Sequence, residues 1–293
     1  MNVPLIGLAE GARAFVQELL SPGSLVEVII GGPMLERAGD LRVDIRNATH
    51  PHLDDHRIQD VPVLPLVEAV GLLLRGAALK GRVSDPPCCI DVKVLRGIRL
   101  EGFHNGGNPL TVRQRDDTTF ELVSEDGTRH YEASLRAPSL NPMDAPVAPP
   151  DPAPLSAAPW NETEIYGKLL FHGPEFHVIR DIEGVSEQGI AGTLRARNGQ
   201  RWRHGQGGYD AGMLDGGLQL ARLWGFLKLG QATLPMRIGC IRILRDAGGS
   251  PIACRVSASA GTNRILCDIS FFSLEKDLLA LMTGVEMYAA SGA

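Results

Sequence analysis

The chain has 293 residues, 44% hydrophobic and 22% charged, with 34 Gly and 20 Pro, which is enough for one large domain or two of typical size. A net charge of -5 argues against a nucleic acid or an anionic membrane as the main partner, and no apolar run reaches the roughly 18 residues of a membrane span. Five cysteines without CxxC spacing indicate neither a disulfide framework nor a zinc ribbon, and the first residues lack a secretory pattern, so a reduced, soluble, cytoplasmic protein is expected.

Gly11 to Leu20 reads as an amphipathic helix and Leu25 to Ile30 as a short buried strand ending at Gly31-Gly32. This α–β unit, residues 1–33, fits the tail of a different, parallel-sheet domain. A new pattern runs over 34–137. Residues 41–46 alternate like a strand, and a polar stretch rich in His and Asp follows. Leu66, Val70 and Leu74, at i, i+4 and i+8, predict an apolar helix over Pro65 to Leu79, opening at a proline where proline is tolerated. Strands are expected at 89–96, 109–115, 119–124 and 129–135, between Gly, Asn or Asp turns. Residues 138–159 hold eight of the 20 prolines and predict a stiff, exposed connector.

The segment 160–293 repeats the order. Short strands are expected near 177–183 and 188–196, a helix at about 207–229, then strands at 236–244, 251–259, 263–272 and 278–288. Strands, one apolar helix and antiparallel strands, twice over, form an α+β pattern. A sheet wrapped around one buried helix satisfies it, and two copies place the helices side by side.

Three groups of residues invite chemistry. His50, His52, Asp54, Asp55 and His56 suggest a metal site, but the run differs by one residue from the HxHxDH of metallo-hydrolases. Tetrahedral ligation tolerates such a shift poorly, and His104 or His130 would have to complete the set without a motif. No metal is therefore expected. His56 also stands just before the apolar helix, followed by Asp60, Pro62 and Pro65, which puts it at the mouth of any cavity that helix lines; the alternative is a hydrogen-bonded structural histidine. Asp215 and Gln219 lie four apart on one helix face, so the amide can bond the carboxyl. Inside an apolar helix that carboxyl is costly to ionise, and a raised pKa suits a general acid; the alternative is a capping or solvated carboxylate. Gly216 and Gly217 imply either close packing or room for a narrow substrate.

Taken together, His56 with Pro65, Leu53 to His56, Pro62 to Pro65, Asp215 with Gln219, HGPEF at 172–176 and LPMRIG at 234–239 resemble the dehydratase domain of type I polyketide and polyunsaturated fatty acid synthases. The pattern HxxxGxxxxP is matched with Asp60 in place of glycine, DxxxQ is matched by Asp215 and Gln219, and YGPxF is matched with His172 in place of tyrosine before Gly173. The likeness covers about residues 38–289. Residues 2–31 are similar to the closing helix and strand of a ketoreductase, an order that suggests a piece of a megasynthase.

The resemblance implies a double hotdog fold and loss of water from a 3-hydroxyacyl thioester to give a 2-enoyl thioester. His56 would take the α-proton and Asp215 would protonate the leaving oxygen. Gln219, Pro65, Asp60, His172 and Gly173 would support them, with Asp60 adding a carboxylate near His56, and a backbone N–H after Pro65 would hold the carbonyl oxygen. It implies no cofactor, the substrate arriving on the phosphopantetheine of an acyl carrier protein. Neighbouring synthase domains such as a ketoreductase are the other expected partners, together with a second copy in a homodimer. Arg195, Arg197, Arg201 and Arg203 form a basic cluster that suits an acidic carrier; the alternative is a solvated turn. A degenerate structural or dimerisation module, a hotdog thioesterase and a double-bond isomerase are the competing functions.

Overall fold

The computed structural model describes residues 39–82, 88–135, 155–195, 210–245 and 249–290. The chain divides into Met1–Gly39 and Asp40–Ala293, and the described strands and helices all lie in the second unit. The expected ketoreductase-like tail, most of the connector (138–154), and Arg197, Arg201 and Arg203 lie outside the described residues.

In the first half, strand β1 (Leu41–Ile45) leads through a 3-10 turn (Pro51–Asp55) to a small hairpin, β2 (Arg57–Ile58) and β3 (Val61–Pro62). Helix α1 (Leu66–Leu79) follows, then β4 (Cys88–Val94), β5 (Asn108–Gln114), β6 (Thr119–Ser124) and β7 (Arg129–Leu135). Pro65 is the N-cap of α1, in extended geometry, so its missing N–H costs the helix nothing. Ten of the 14 residues of α1 are buried, which is why it reads as apolar nearly all round.

The second half opens with a helical turn (Glu162–Glu164) that widens into a π-type turn (Ile165–Leu169), then a 3-10 turn (Pro174–Phe176). Strands β8 (Ile179–Ser186) and β9 (Gly189–Leu194) precede helix α2 (Ala211–Leu229). Strands β10 (Thr233–Ile243), β11 (Ile252–Ala260), β12 (Arg264–Phe272) and β13 (Leu278–Ala289) complete the half. Helix α2 ends where Gly230 takes the left-handed conformation (φ 66°) that stops helices.

The sequence pattern predicts two sheets, each around its helix. The halves do wrap their own helices, but the sheets join edge to edge. Among the described residues the order is β1-β5-β6-β7-β4-β10-β13-β12-β11-β9-β8, eleven strands with every named pair antiparallel. The β4–β10 pair is the seam, and it satisfies backbone groups that two separate edges would leave open. Helices α1 and α2 touch, and one apolar core runs through both halves, from Ile45 to Met287. Where the connector re-enters, Ser156 exchanges two backbone hydrogen bonds with Val185 on β8. No helix among the described residues is long and apolar enough to cross a membrane.

Candidate active site

Helix α2 is capped by Asp210, whose carboxylate accepts from the Met213 N–H at 2.9 Å. Asp215, one turn further in, is therefore not the capping group and is only 5% exposed. Gln219, four residues on, donates from Nε2 to Asp215 Oδ2 at 2.7 Å and to the Phe176 carbonyl at 2.9 Å. The orientation of this amide follows from its other end. The Ile179 N–H donates to the Tyr166 hydroxyl (2.9 Å), so the phenol proton is directed at Gln219 Oε1 (3.0 Å) and the NH₂ group faces Asp215.

His56 ends the 3-10 turn of the first half. Its Nδ1 lies 2.8 Å from the Val63 carbonyl, which can only accept, so Nδ1 carries the proton and Nε2 keeps its lone pair. The turn His172–Phe176 of the second half docks directly beside it. His56 and His172 form an antiparallel bridge, and Asp55 anchors the turn twice: its carbonyl accepts from Gly173 N–H (2.6 Å) and its Oδ2 from Glu175 N–H (2.7 Å). A Cβ on Gly173 would come within 2.8–2.9 Å of the Asp55 side chain, so this close approach requires glycine.

These groups converge on one cavity of about 380 Å³, lined by His56, Pro65, Leu66, His172, Asp215 and Gln219 among others. A ring nitrogen of His56, one of His172 and a carboxylate oxygen of Asp215 all lie within 4.8 Å of one another. His172 Nε2 is 3.6 Å from Asp215 Oδ2, and the two histidine rings meet edge to face at 5.2 Å. Phe171 and Phe176 each pack 5.0 Å from the His56 ring and enclose it.

Burial drives the His56 imidazole down to about 4, against its bond to the Val63 carbonyl and aided by the Arg222 and His52 charges. It is a neutral base at pH 7. Burial holds His172 well below the usual histidine range too, with His56, Arg222 and His177 adding to the effect. Burial raises the Asp215 carboxyl to about 7; the Gln219 amide opposes this and the Glu68 charge adds to it. Two histidines and a carboxylate are also a donor set that divalent metals accept, and among the described residues this is the group with that geometry. His50 and His52 do not belong to it: His52 Nε2 meets Glu68 at 3.1 Å and His50 Nδ1 meets the Thr49 hydroxyl at 2.8 Å.

The structure thus brings together His56, Pro65, His172, Gly173, Asp215 and Gln219. Asp60 differs from expectation. Its side chain is exposed and off the cavity wall, so it adds no carboxylate beside His56. It sits in the two-residue turn of the β2–β3 hairpin, where Gln59 (φ 51°) and Asp60 (φ 63°) both take left-handed geometry; aspartate tolerates this better than most residues, and the turn directs it outward. Arg195 is exposed, and its N–H is bonded to the Val178 carbonyl (2.8 Å).

Sequence reasoning missed Tyr166, Asp55 as an anchor, and Arg222. Tyr166 stands in a segment without periodicity, and nothing in the sequence marks it. Arg222 was legible, because it follows Asp215 by seven residues on the same helix face. It is 4% exposed, lies 4.9 Å over the Phe171 ring and donates to the Thr233 carbonyl at 2.8 Å. Burial lowers it only to about 10, so it remains a cation.

Comparison with known proteins bears on the family and the fold. Residues 144–293, just over half of the chain, match the family described as polyketide synthase dehydratase N-terminal domain. The chain is 26% identical over 250 residues to one subunit of the polyunsaturated fatty acid synthase of Thraustochytrium sp. (strain ATCC 26185 / S-3), a match covering 78% of this chain and 9% of that much longer protein. Among solved structures it is similar to GphF Dehydratase 1 (TM-score 0.69, 16% identity, 85% of this chain and 93% of that one). It is also similar to the dehydratase domain of PpsC from Mycobacterium tuberculosis in complex with C12:1-CoA (TM-score 0.66, 19% identity, 86% and 93%). A third is the dehydratase domain from the CurH module of the curacin polyketide synthase (TM-score 0.64, 20% identity, 89% and 96%). At these identities the solved structures establish the shared double hotdog fold. With that fold, and with the family match spanning half its length, the chain belongs to the polyketide synthase dehydratase family.

Proposed function

We propose that the chain removes water from a 3-hydroxyacyl thioester, carried on the phosphopantetheine of an acyl carrier protein, to give the 2-enoyl thioester. The observation that supports this most is the pairing, on the wall of one cavity, of a neutral imidazole from the first half with a carboxyl raised to about 7 from the second. His56 Nε2 takes the α-proton, which the thioester carbonyl makes acidic. The electron pair forms the Cα–Cβ double bond as the Cβ–O bond breaks. Asp215 protonates the departing hydroxyl, which leaves as water. Because Gln219 donates to Oδ2, the acidic proton belongs on Oδ1.

The carbonyl oxygen gains charge as the α-proton leaves. Leu66, the first residue of α1 and part of the chamber wall, has an N–H with no intrahelical acceptor, and it would donate there. Every proton in this scheme is carried by a side chain of this chain. A polyketide or polyunsaturated fatty acid megasynthase is the setting proposed, with a ketoreductase supplying the 3-hydroxyl. Arg195, with Arg197, Arg201 and Arg203, remains the proposed docking surface for the acidic carrier.

The position of the new double bond tests the reaction. NMR of the product from a short 3-hydroxyacyl pantetheine thioester should show a 2-enoyl group. A 3-enoyl product would favour the isomerase, and free acid with the hydroxyl retained would favour the thioesterase.

A further inference from the structure

Cys88 and Cys240 bring their sulfurs to 3.9 Å. They lie on β4 and β10, the strand pair that joins the two half-sheets, so each half supplies one thiol. The register sets Cys240 opposite Ile90 and Cys88 opposite Arg242, which makes the cysteines diagonal neighbours on one face of the pair. Cys89 and Ile241 alternate to the other face and join the helix-packed core, whereas Cys88 and Cys240 do not belong to it. Cys240 is half-buried, while Cys88 is nearly covered.

The two sulfurs are chemically unlike. The contact with Cys88 and the Arg242 guanidinium lower the Cys240 thiol, against burial, and so favour its thiolate. The same contact and burial raise Cys88. A partly exposed thiol beside a guanidinium and touching a second thiol is the arrangement in which oxidation is selective. Cys89, Cys254 and Cys267 contrast with it, since burial raises each of them.

We propose that Cys88 and Cys240 are a redox-active dithiol, oxidised by peroxides to a disulfide that ties the two hotdog halves across their seam. The Cys240 thiolate attacks the O–O bond of the peroxide, forming a sulfenic acid and releasing hydroxide, which takes a proton to become water. Cys88 then gives up its proton, and its sulfur attacks the Cys240 sulfur. The S–O bond breaks, and the expelled hydroxide takes that proton as a second water. The two thiols lose two electrons in all and the peroxide gains two. The sulfurs must close from 3.9 Å to about 2.05 Å. Because diagonal neighbours stand about 7–8 Å apart, the two seam strands must shift towards each other as the bond forms.

The reduced, whole protein is treated with hydrogen peroxide, remaining thiols are alkylated in denaturant, and peptides are mapped by mass spectrometry. The expected result is loss of two hydrogens from the intact mass, alkylation of Cys89, Cys254 and Cys267 only, and a Cys88–Cys240 linked peptide that dithiothreitol releases. In Cys88→Ser, Cys240 should stop at a sulfenic acid that dimedone traps. In Cys240→Ser, Cys88 should stay reduced at the same dose. The proposal is overturned if all five thiols still alkylate, if the link uses other cysteines or joins two chains, or if Cys240 passes to sulfinic acid with Cys88 untouched. None of these outcomes depends on the dehydratase reading.

Discussion

Two carboxylates five residues apart, one at the cap of α2 and one inside it, have opposite fates. Asp210 is spent on the helix cap, while Asp215 is buried beside a neutral amide and two neutral histidines. The difference follows from position: the first-turn N–H groups are unpaired donors, and one turn later the backbone has none to offer. Replacing Asp215 by Asn keeps the bond to Gln219 and removes the transferable proton. Turnover should fall about 10²- to 10⁴-fold, with the circular dichroism spectrum unchanged. The pH dependence carries the same assignment. His56 must be neutral, so kcat/KM should rise through about 4, and Asp215 must be protonated, so it should fall through about 7. In Asp215→Asn the residual activity should lose the falling limb. A fall at the same pH in the variant would show that another group is the acid. Both residues were legible in the sequence because each lies in a spaced motif. Their charge states were only partly so, since the Arg222 and Glu68 charges that act on them come from tertiary packing.

The glycine pair in α2 shows what an element needs from its neighbours. The sequence left two reasons for Gly216 and Gly217, packing or substrate access, and the structure gives packing. A Cβ on Gly217 would meet Phe271 at 2.5 Å and Ile269 at 2.8 Å, and one on Gly216 would meet Leu194 and Val178 at 2.9 Å. The helix lies on the strands here, and the glycines set how closely. Gly217→Ala, although better for an isolated helix, should destabilise the fold by about 1–3 kcal/mol, read as a lower Tm. The turn holding Tyr166 is the harder element to foresee. It has no periodicity, and its role depends on two groups distant in sequence, Ile179 and Gln219. Tyr166→Phe should free the Gln219 amide to rotate, lower kcat more than it raises KM, and cost about 1–2 kcal/mol of stability. Unchanged kcat would mean the amide is held without the phenol. The long helices and alternating strands were readable from period alone. The β2–β3 hairpin was not, because Gln59-Asp60 lacks the glycine that marks such turns.

At the scale of the molecule, the seam and the site depend on each other. The pairing of β4 with β10 makes one sheet of two, and α1 and α2 are held in contact beneath it. That contact carries the wall after Pro65 and the Asp215 carboxyl to the same chamber, while Asp55 fastens the His172 turn beside His56. Residues 159 positions apart therefore face each other, as the two motifs required but as neither could show alone. Edge-to-edge joining of the sheets lay beyond the sequence, because hydrophobic alternation fixes which face of a strand is buried and not which strand lies beside it. The central claim is that one imidazole and one carboxyl, supplied by different halves, together expel water. It is tested most directly by incubating a carrier-bound 3-hydroxyacyl thioester with the protein, with His56→Phe and with Asp215→Asn, and following the acyl mass. The account predicts loss of one water with the unaltered protein and almost none with either variant. An unchanged substrate with the unaltered protein, or near-equal conversion by either variant, would contradict it.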